Sequence, residues 1–546
     1  MINYQSNRQL SFADFALPFS GSLSGNNRWV KLANLLPWDD LVGIYAGGLS
    51  DSLGRGTKDL RIELGTLIIQ ELMDLTDREV IAQIQENPYL QYFLGFDEYR
   101  YKEVFDSSLL VSIRKRLNRE AIVEMTRVVA ECRKSMEEKI SKAKKDKDDR
   151  SSGCEDEASV ESSVAGKSES AEQAVSGSAD TDAPKSQDCQ SVTHRGELII
   201  DATAAELEIP YPTDLGLLNE ARLQSERIID VLWSVSKYRG ARKPRTYRQT
   251  AKSAYLSVAK KRRKSRKEIR KGIKAQLQYL RRNIKSINKL LNKVSPHLQR
   301  LLLKRRDRQL IETIGLVYDQ QRRMYREKSR RIDHRIVNLY QPWVRPIKRG
   351  KSGSDVEFGP KFSASLVDGV AYVDHFSWEA FNEGTYLKDQ VEAYRERHGF
   401  YPEAVISDQI YGTRENRRYL QARGIRFSGK KLGRPVQVTA ENRKELAAEK
   451  KRRKSEQRRR NRIEGSFGVG RRRYGLGRVR TRLKETSETT ICMTFFAMSI
   501  AAYLAVCFVR KMKQWWDLQV ACSFIYRQPG PQYQLKWLDR IRVNMV

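Results

Sequence analysis

The sequence predicts an α/β protein: a mixed sheet interrupted by a large basic helical insertion and preceded by an all-α N-terminal region. Three observations carry that expectation. Short apolar runs such as Leu198-Ile199-Ile200 and Ala404-Val405-Ile406 have the length and content of buried strands. The segment 269–294 repeats apolar residues every three or four positions, the period of a packed helix. Upstream, residues 58–117 carry helical patterning punctuated by capping signals. Hydrophobic residues make up 40% of the 546, enough for at least one sizeable core.

In chain order, the first unit is a helical region over 1–145. Lys58 to Met73 sets Leu60, Leu64, Leu67 and Ile68 on one face. Thr76-Asp77-Arg78-Glu79 is a capping box, opening a short helix that stops before Pro88. Ser107 to Leu117 aligns Leu109, Leu110, Ile113 and Leu117, with Arg114, Lys115 and Arg116 near its end. Short helices with a basic terminus suit a helix-turn-helix-like DNA-binding module, and a small bundle with a solvated basic face reads equally well. Ser151 to Gln190 contains ten Ser and no Leu, Ile, Phe, Tyr, Trp or Met. With nothing to bury, it is expected to be a disordered acidic linker, bounded at 146–193.

A first part of the core follows (194–225), then the basic insertion (226–345), the remainder of the core (346–510) and a tail (511–546). In the insertion, Ile269, Ile273, Leu277, Leu280, Ile284, Ile287, Leu291 and Val294 form a heptad seam that Ser295-Pro296 ends. A second helical pattern over 298–332 makes an antiparallel hairpin, closed within the chain, the simplest expectation. Asp368-Gly369 is the expected hairpin turn between two strand-like runs, and Asp214 is expected to cap the helix that begins at Leu215. Ile491 to Val509 is nineteen residues without a charge. By length it is a candidate membrane anchor, and a core helix packed on the sheet fits equally well.

Charge narrows the function. Lys and Arg number 102 against 67 Asp and Glu, a net charge of +35 that calls for a polyanionic partner. From Lys237 to Arg282 there are 19 basic residues, Lys261, Arg262, Arg263 and Lys264 among them, and one acid, Glu268. Tyr238, Tyr247 and Tyr255 lie among these arginines, where they would grip a nucleic-acid backbone, stack a base, or pack as core tyrosines. A second basic run covers 443–482 and includes Arg462. The six cysteines form no CxxC pair, which argues against a zinc ribbon or disulfide scaffold. A polar N-terminus and this cysteine usage lead to an expected cytoplasmic location, nucleoid-associated.

Three carboxylates are the candidates for chemistry. Asp201 sits near the end of the strand 197–203, Asp408 follows the strand 404–406, and Glu464 is embedded in the second basic run. In an open α/β sheet the carboxyl ends of strands are where sites assemble. Three convergent acids suit a hard cation, and two Mg²⁺ or Mn²⁺ ions can serve an in-line phosphodiester displacement. Asp374, Glu383, His375 and Trp378 are expected to be structural.

The chain resembles bacterial insertion-sequence transposases of the DDE class, in the InsH-like branch. The matching strings are TDRE (76–79), ENPYLQYFLGF (86–96), IIDATAAELEIPYPTDLGLLNEAR (199–222), EFGPKFSASLVDGVAYVDHFSWEAFNEGTYL (357–387), YPEAVISDQIYGTRENRRYLQARGI (401–425), RIEGSFGVGRRRYGLGRV (462–479) and TSETT (486–490). The resemblance implies an RNase H-like core with Asp201, Asp408 and Glu464 as catalytic metal ligands for two Mg²⁺ or Mn²⁺ ions. It implies phosphate contacts from Arg460 and from Arg471, which stands where related proteins have Lys. It implies double-stranded DNA partners, namely terminal inverted repeats and target DNA, and a homodimer in a synaptic complex, with no membrane and with 491–509 as a core helix. Related proteins also carry a Tyr where this chain has Gln457. Gly465, Gly468 and Gly470 are expected to interrupt the helix carrying Glu464. A catalytically inactive DNA-binding descendant of a transposase and a membrane-associated basic protein are the alternatives.

Overall fold

Among the described residues, seven helices precede the sheet: α1 (Arg28–Leu35), α2 (Trp38–Ala46), α3 (Leu60–Met73), α4 (Asp77–Glu86), α5 (Pro88–Phe93), α6 (Leu109–Arg116) and α7 (Arg119–Ser151). The computed structural model describes residues 2–4, 9, 11–18, 21–49, 56–151, 194–236, 242–348, 356–430, 432–434 and 436–525. Most of the acidic segment expected to be a linker, Tyr238 and the end of the tail lie outside them. The expected capping box forms: the Thr76 side chain accepts from the Glu79 amide, and the Glu79 carboxylate accepts from the Thr76 amide at 2.8 Å. Helix α3 is buried around most of its circumference, with Leu60, Leu64, Ile68 and Ile69 inaccessible to solvent.

The sheet has five strands in the order β5-β4-β1-β6-β7: β1 (Glu197–Ala204), β4 (Lys361–Val367), β5 (Val370–Ser377), β6 (Ala404–Ile406) and β7 (Arg426–Phe427). A separate ribbon pairs β2 (Pro346–Lys348) with β3 (Val356–Phe358). Strand β1 is central, antiparallel to β4 with Asp201 opposite Ala364, and parallel to β6 with Ile199 opposite Ile406. The β4–β5 hairpin turns at Asp368 and Gly369, whose φ values of 49° and 80° suit the tight hairpin turn expected of Asp-Gly.

Between β1 and β4 lie α8 (Asp214–Ser236), α9 (Arg248–Ala259), α10 (Arg266–Leu291), α11 (Pro296–Leu302) and α12 (Arg305–Glu327). The heptad segment is helical only as far as Leu291, with Val294 in the turn that follows, and its seam closes within the chain, but not as a simple hairpin. Helix α10 packs chiefly on α8, and α12 completes the cluster. Leu218, Ala221, Ile228, Ile229 and Leu232 give α8 an apolar stripe that competes for the seam and wins. Gln276 and Asn283 are buried there too, because Arg222 donates to Gln276 at 3.1 Å and Asn283 donates to Ser225 at 2.9 Å. The Asp214 side chain does not cap α8. Thr213 does, accepting from the Gly216 amide at 3.1 Å, while Asp214 accepts from Arg335 at 2.7 Å and Gln321 at 2.8 Å.

Helices α13 (Leu387–His398) and α14 (Arg414–Ala422) flank β6, and α15 (Arg443–Arg473) and α16 (Lys484–Ile525) follow. The uncharged run lies in α16, which starts before Ser487, the residue expected at its cap. Its Ile491, Phe495, Phe496 and Ile500 are buried against α3, α6, α7 and β5. The stretch Lys484–Cys507 is long and apolar enough to cross a membrane, yet more than half of its most apolar window is buried inside the protein. It therefore joins the N-terminal helices and one sheet face into a continuous core running from Phe15 to Tyr503.

Truncating Phe496 to Ala should cost about 3–5 kcal/mol through lost burial and the cavity left behind. Hydrogen exchange should show protection falling in α3 and β5 together. Loss confined to one of them would contradict a shared core.

Candidate active site

The pleat of β1 divides its side chains between two cores. Leu198 and Ile200 pack with Tyr394 and Val405 on one face, while Ile199 belongs to the core that includes Ile463 and Phe467 of α15. Asp201 and Thr203 follow Ile199 at intervals of two and so face α15 as well. Asp201 lies inside the strand, one residue pair further in than expected, because β4 extends the pairing to Ala204.

Helix α15 is continuous through Gly465, Gly468 and Gly470. The expected interruption is absent, since Ile463, Phe467 and Gly470 are buried and this packing outweighs a propensity cost of about 1 kcal/mol per glycine. Two arginines then set its register on β1. Arg459 pairs with Glu197 at the start of the strand. Arg471 donates to the Ala204 carbonyl at 2.8 Å and to Thr203 Oγ1 at 3.0 Å at its end, and lies 3.7 Å from Glu357. Twelve helical residues advance about 18 Å. Six or seven strand residues advance about 20–23 Å, so helix and strand run alongside each other in matching lengths. Arg460 and Glu464 are thereby set opposite the middle of β1, where Asp201 is.

Arg460 is the point of convergence. Its Nη2 lies 3.1 Å from Glu464 Oε1 and its Nη1 3.6 Å from Asp408 Oδ2. Asp408 follows β6 and accepts from the Gln409 amide at 2.7 Å, which opens a turn of 3-10 helix. Asp201 accepts from the Ala202 amide at 2.9 Å. Burial pushes the Asp201 carboxyl up to about 6; the Ala202 amide and the Arg460 charge oppose this, and the Glu383 and Glu464 charges add to it. Tyr411 is fully buried behind the site, shares a hydrogen bond with Ser363 at 3.4 Å, and has its hydroxyl pushed well above the usual range by burial. A cleft beside Asp408 and Arg460 is lined also by Ser428, Lys430, Arg453 and Gln457.

The donor set of three carboxylates has the hard-oxygen chemistry that Mg²⁺ or Mn²⁺ requires. Among the described residues, however, no three His, Cys, Asp or Glu side chains are close enough to hold a metal ion as they stand. The Arg460 guanidinium takes the cationic position between Asp408 and Glu464.

Arg462 is exposed on the outer face of α15, and Lys261 to Lys264 are exposed in the connection between α9 and α10, Lys261 pairing with Glu268. The Asp374 side chain is covered, pairing with Arg397 and accepting from Gln390 at 3.0 Å, and Trp378 is buried, both with structural contacts. Glu383 pairs with Lys361 at 2.8 Å, yet its charge reaches Asp201. His375 is stacked on Tyr386, ring centroids 3.5 Å apart. Arg459 was not among the sequence candidates; within the run 458–460 nothing distinguishes the arginine facing β1 from its neighbours.

Residues 405–501, which contain Asp408 and Glu464, match the family described as a transposase DDE domain. Residues 18–116 match the family described as a transposase domain (DUF772). An uncharacterized protein, ORF8 in the nfe locus of Rhizobium meliloti, is 30% identical over 102 residues, covering 19% of this chain and 49% of that protein. The chain thus spans about half the length of that curated relative. No solved structure matches.

The raised Asp201 value carries a stability signature. The folded carboxyl binds its proton more tightly than the unfolded one, so the group is neutral and harmless below pH 4. Stability then falls as pH rises from about 4, where the unfolded carboxyl ionises, to about 6, above which the cost is constant. Asp201→Asn should therefore be more stable than wild type at pH 7.5, by on the order of 2 kcal/mol. Urea unfolding should show that gain vanishing near pH 4; an equal gain at both pH values would refute the burial of a functional charge.

Proposed function

We propose that this chain, in which residues 405–501 match a transposase DDE domain and residues 18–116 a transposase domain, is a bacterial insertion-sequence transposase of the DDE class that cleaves DNA at transposon ends and transfers the strands into target DNA. The observation that carries this reading is the approach of Asp408 and Glu464 to one arginine, with the half-buried Asp201 within reach of the Arg460 and Glu464 charges. The sheet, three antiparallel strands followed by two parallel ones, is compatible with an RNase H-like core. Retention of all three acids favours an active enzyme over an inactive DNA-binding descendant.

Asp201, Asp408 and Glu464 would hold Mg²⁺ or Mn²⁺, two ions per site in the resemblance. When bound, these supply an activated water or 3′-hydroxyl and charge stabilisation at the leaving oxygen. The chain's own groups do the rest. Burial raises the Asp201 carboxyl to about 6, so its ionised form is costly and a bound cation would relieve that cost. Arg460 exchanges its carboxylate partners for a phosphate oxygen, where a planar guanidinium is an effective ligand. Arg462, on the exposed face of the same helix, contacts the neighbouring backbone. Arg471 acts by holding the end of β1 against α15. Lys261, Arg262, Arg263 and Lys264 grip DNA away from the chemistry, the N-terminal helices recognise the terminal repeat, and two copies synapse two ends.

The test is to incubate the protein with Mg²⁺ and duplex DNA carrying the sequence that flanks its own gene. Asp201→Asn, Asp408→Asn and Glu464→Gln should each reduce end cleavage by a factor of roughly 10³ or more. Gel-shift affinity should stay within a few-fold of wild type. An Asp408→Asn protein that cuts the ends as fast as wild type would overturn the site.

A further inference from the structure

We infer that Arg245 and Arg282, oriented by the ring of Tyr247, form a clamp for the phosphate backbone of double-stranded DNA on the helical insertion. The inference rests on the DNA-directed function proposed above and specifies a site that lies outside the carboxylate cluster.

Tyr247 precedes α9 in a left-handed conformation, φ 53° and ψ 33°, which a bulky side chain rarely adopts. Its ring is not spent on the core, being 38% exposed. The guanidinium carbons of Arg245 and Arg282 each lie 5.0 Å from its centroid. Arg282 also lies 5.4 Å from the Tyr279 ring, which is tilted against Tyr247 at 6.5 Å. One strained, exposed tyrosine thus gathers two cations that are distant in sequence.

Among the described residues, no carboxylate pairs with Arg245 or Arg282. The neighbouring cations behave differently: Arg248 is engaged by Asp230 and by the Glu226 carbonyl, and Lys243 lies 3.4 Å from Asp230. Two guanidiniums on one ring stand within about one Debye length of each other at 0.1 M salt, so they repel unless an anion is shared between them. Cation–π packing uses the face of a guanidinium and leaves its in-plane N–H donors open. The ring therefore fixes orientation without consuming the groups that bind phosphate, and less rotamer freedom is lost on binding. Both arginines are exposed, as are Lys260 to Lys264 in the adjoining connection. A run of exposed cations fits an extended chain of phosphates better than a single small anion.

The experiment measures binding of the full chain to a fluorescent duplex carrying the gene's flanking sequence, by anisotropy between 50 and 300 mM NaCl. Arg245→Ala and Arg282→Ala should each weaken binding roughly five- to ten-fold near 0.1 M salt and lower the slope of log K against log salt by about 0.9. Tyr247→Leu should weaken it comparably, whereas Tyr247→Phe, which keeps the ring, should stay within about two-fold of wild type. Circular dichroism checks that the Tyr247 variants fold, and the two surface arginine variants test the clamp independently of them. Slopes unchanged in both arginine variants, with DNA still bound, would overturn the clamp and leave the proposed function standing. A wild-type protein that binds no duplex at any salt would overturn both.

Discussion

Arg459 holds Glu197 at the start of β1 and Arg471 holds Thr203 and Ala204 at its end, so one helix is fixed along one strand. The candidate site depends on this pairing. Strand β1 cannot slide, because it is hydrogen-bonded to β4 on one edge and β6 on the other. A slip of one residue would turn Asp201 and Ile199 away from α15 together and bring Ile200 to the helix instead. Helix α15 cannot rotate freely either, since Ile463 and Phe467 are buried beneath it. Hydrogen bonds from charged donors contribute about 1.5–3 kcal/mol each, so the two arginines add register to what apolar packing supplies in affinity. Asp408 joins the pair because β6 runs parallel to β1 and ends at the same edge of the sheet.

Gathering acids on one side of a sheet is unfavourable, and the fold handles that cost locally. Asp201 is relieved by the Ala202 amide and the Arg460 charge but remains hard to ionise, with the charges of Glu383 and Glu464 adding to its burial. Arg460 compensates Asp408 and Glu464 directly. In the proposed function the same arginine, which pairs with both carboxylates here, would offer its guanidinium to phosphate once a cation took its place. The net charge of +35 therefore separates into arginines that serve the architecture, such as Arg459, Arg471 and the buried Arg222, and exposed cations that remain available to a polyanion.

Local signals were legible in the sequence. The capping box at Thr76, the turn at Asp368-Gly369 and the strands around Leu198 and Ala404 all follow from short-range pattern, whereas the uncharged run in α16 suits a membrane span as well as a core by pattern alone. Features decided by tertiary packing were not. Three glycines argue for a broken helix at Glu464, and burial of Ile463 and Phe467 overrides them. The heptad seam indicates a helix that must be covered but not that α8 covers it, since α8 also looks like a helix of the sheet layer. Asp214 and Thr213 are both good caps, and only the distant Arg335 draws Asp214 away. Arginines carry the same formal charge wherever they stand, so the sequence separates neither Arg459 from Arg458 nor Arg471, which faces β1, from the phosphate ligand the resemblance implies.

The most direct measurement of the central dependence is Mn²⁺ affinity, followed by electron paramagnetic resonance, in wild type, Asp201→Asn and Arg471→Met. Arg471 is not a carboxylate; it donates to Thr203 and Ala204 of β1 and lies 3.7 Å from Glu357. If the strand–helix register assembles the site, Mn²⁺ binding should weaken in both variants, by roughly ten-fold or more, as for loss of a ligand or of its support. Arg471→Met binding Mn²⁺ as tightly as wild type, while Asp201→Asn does not, would contradict it.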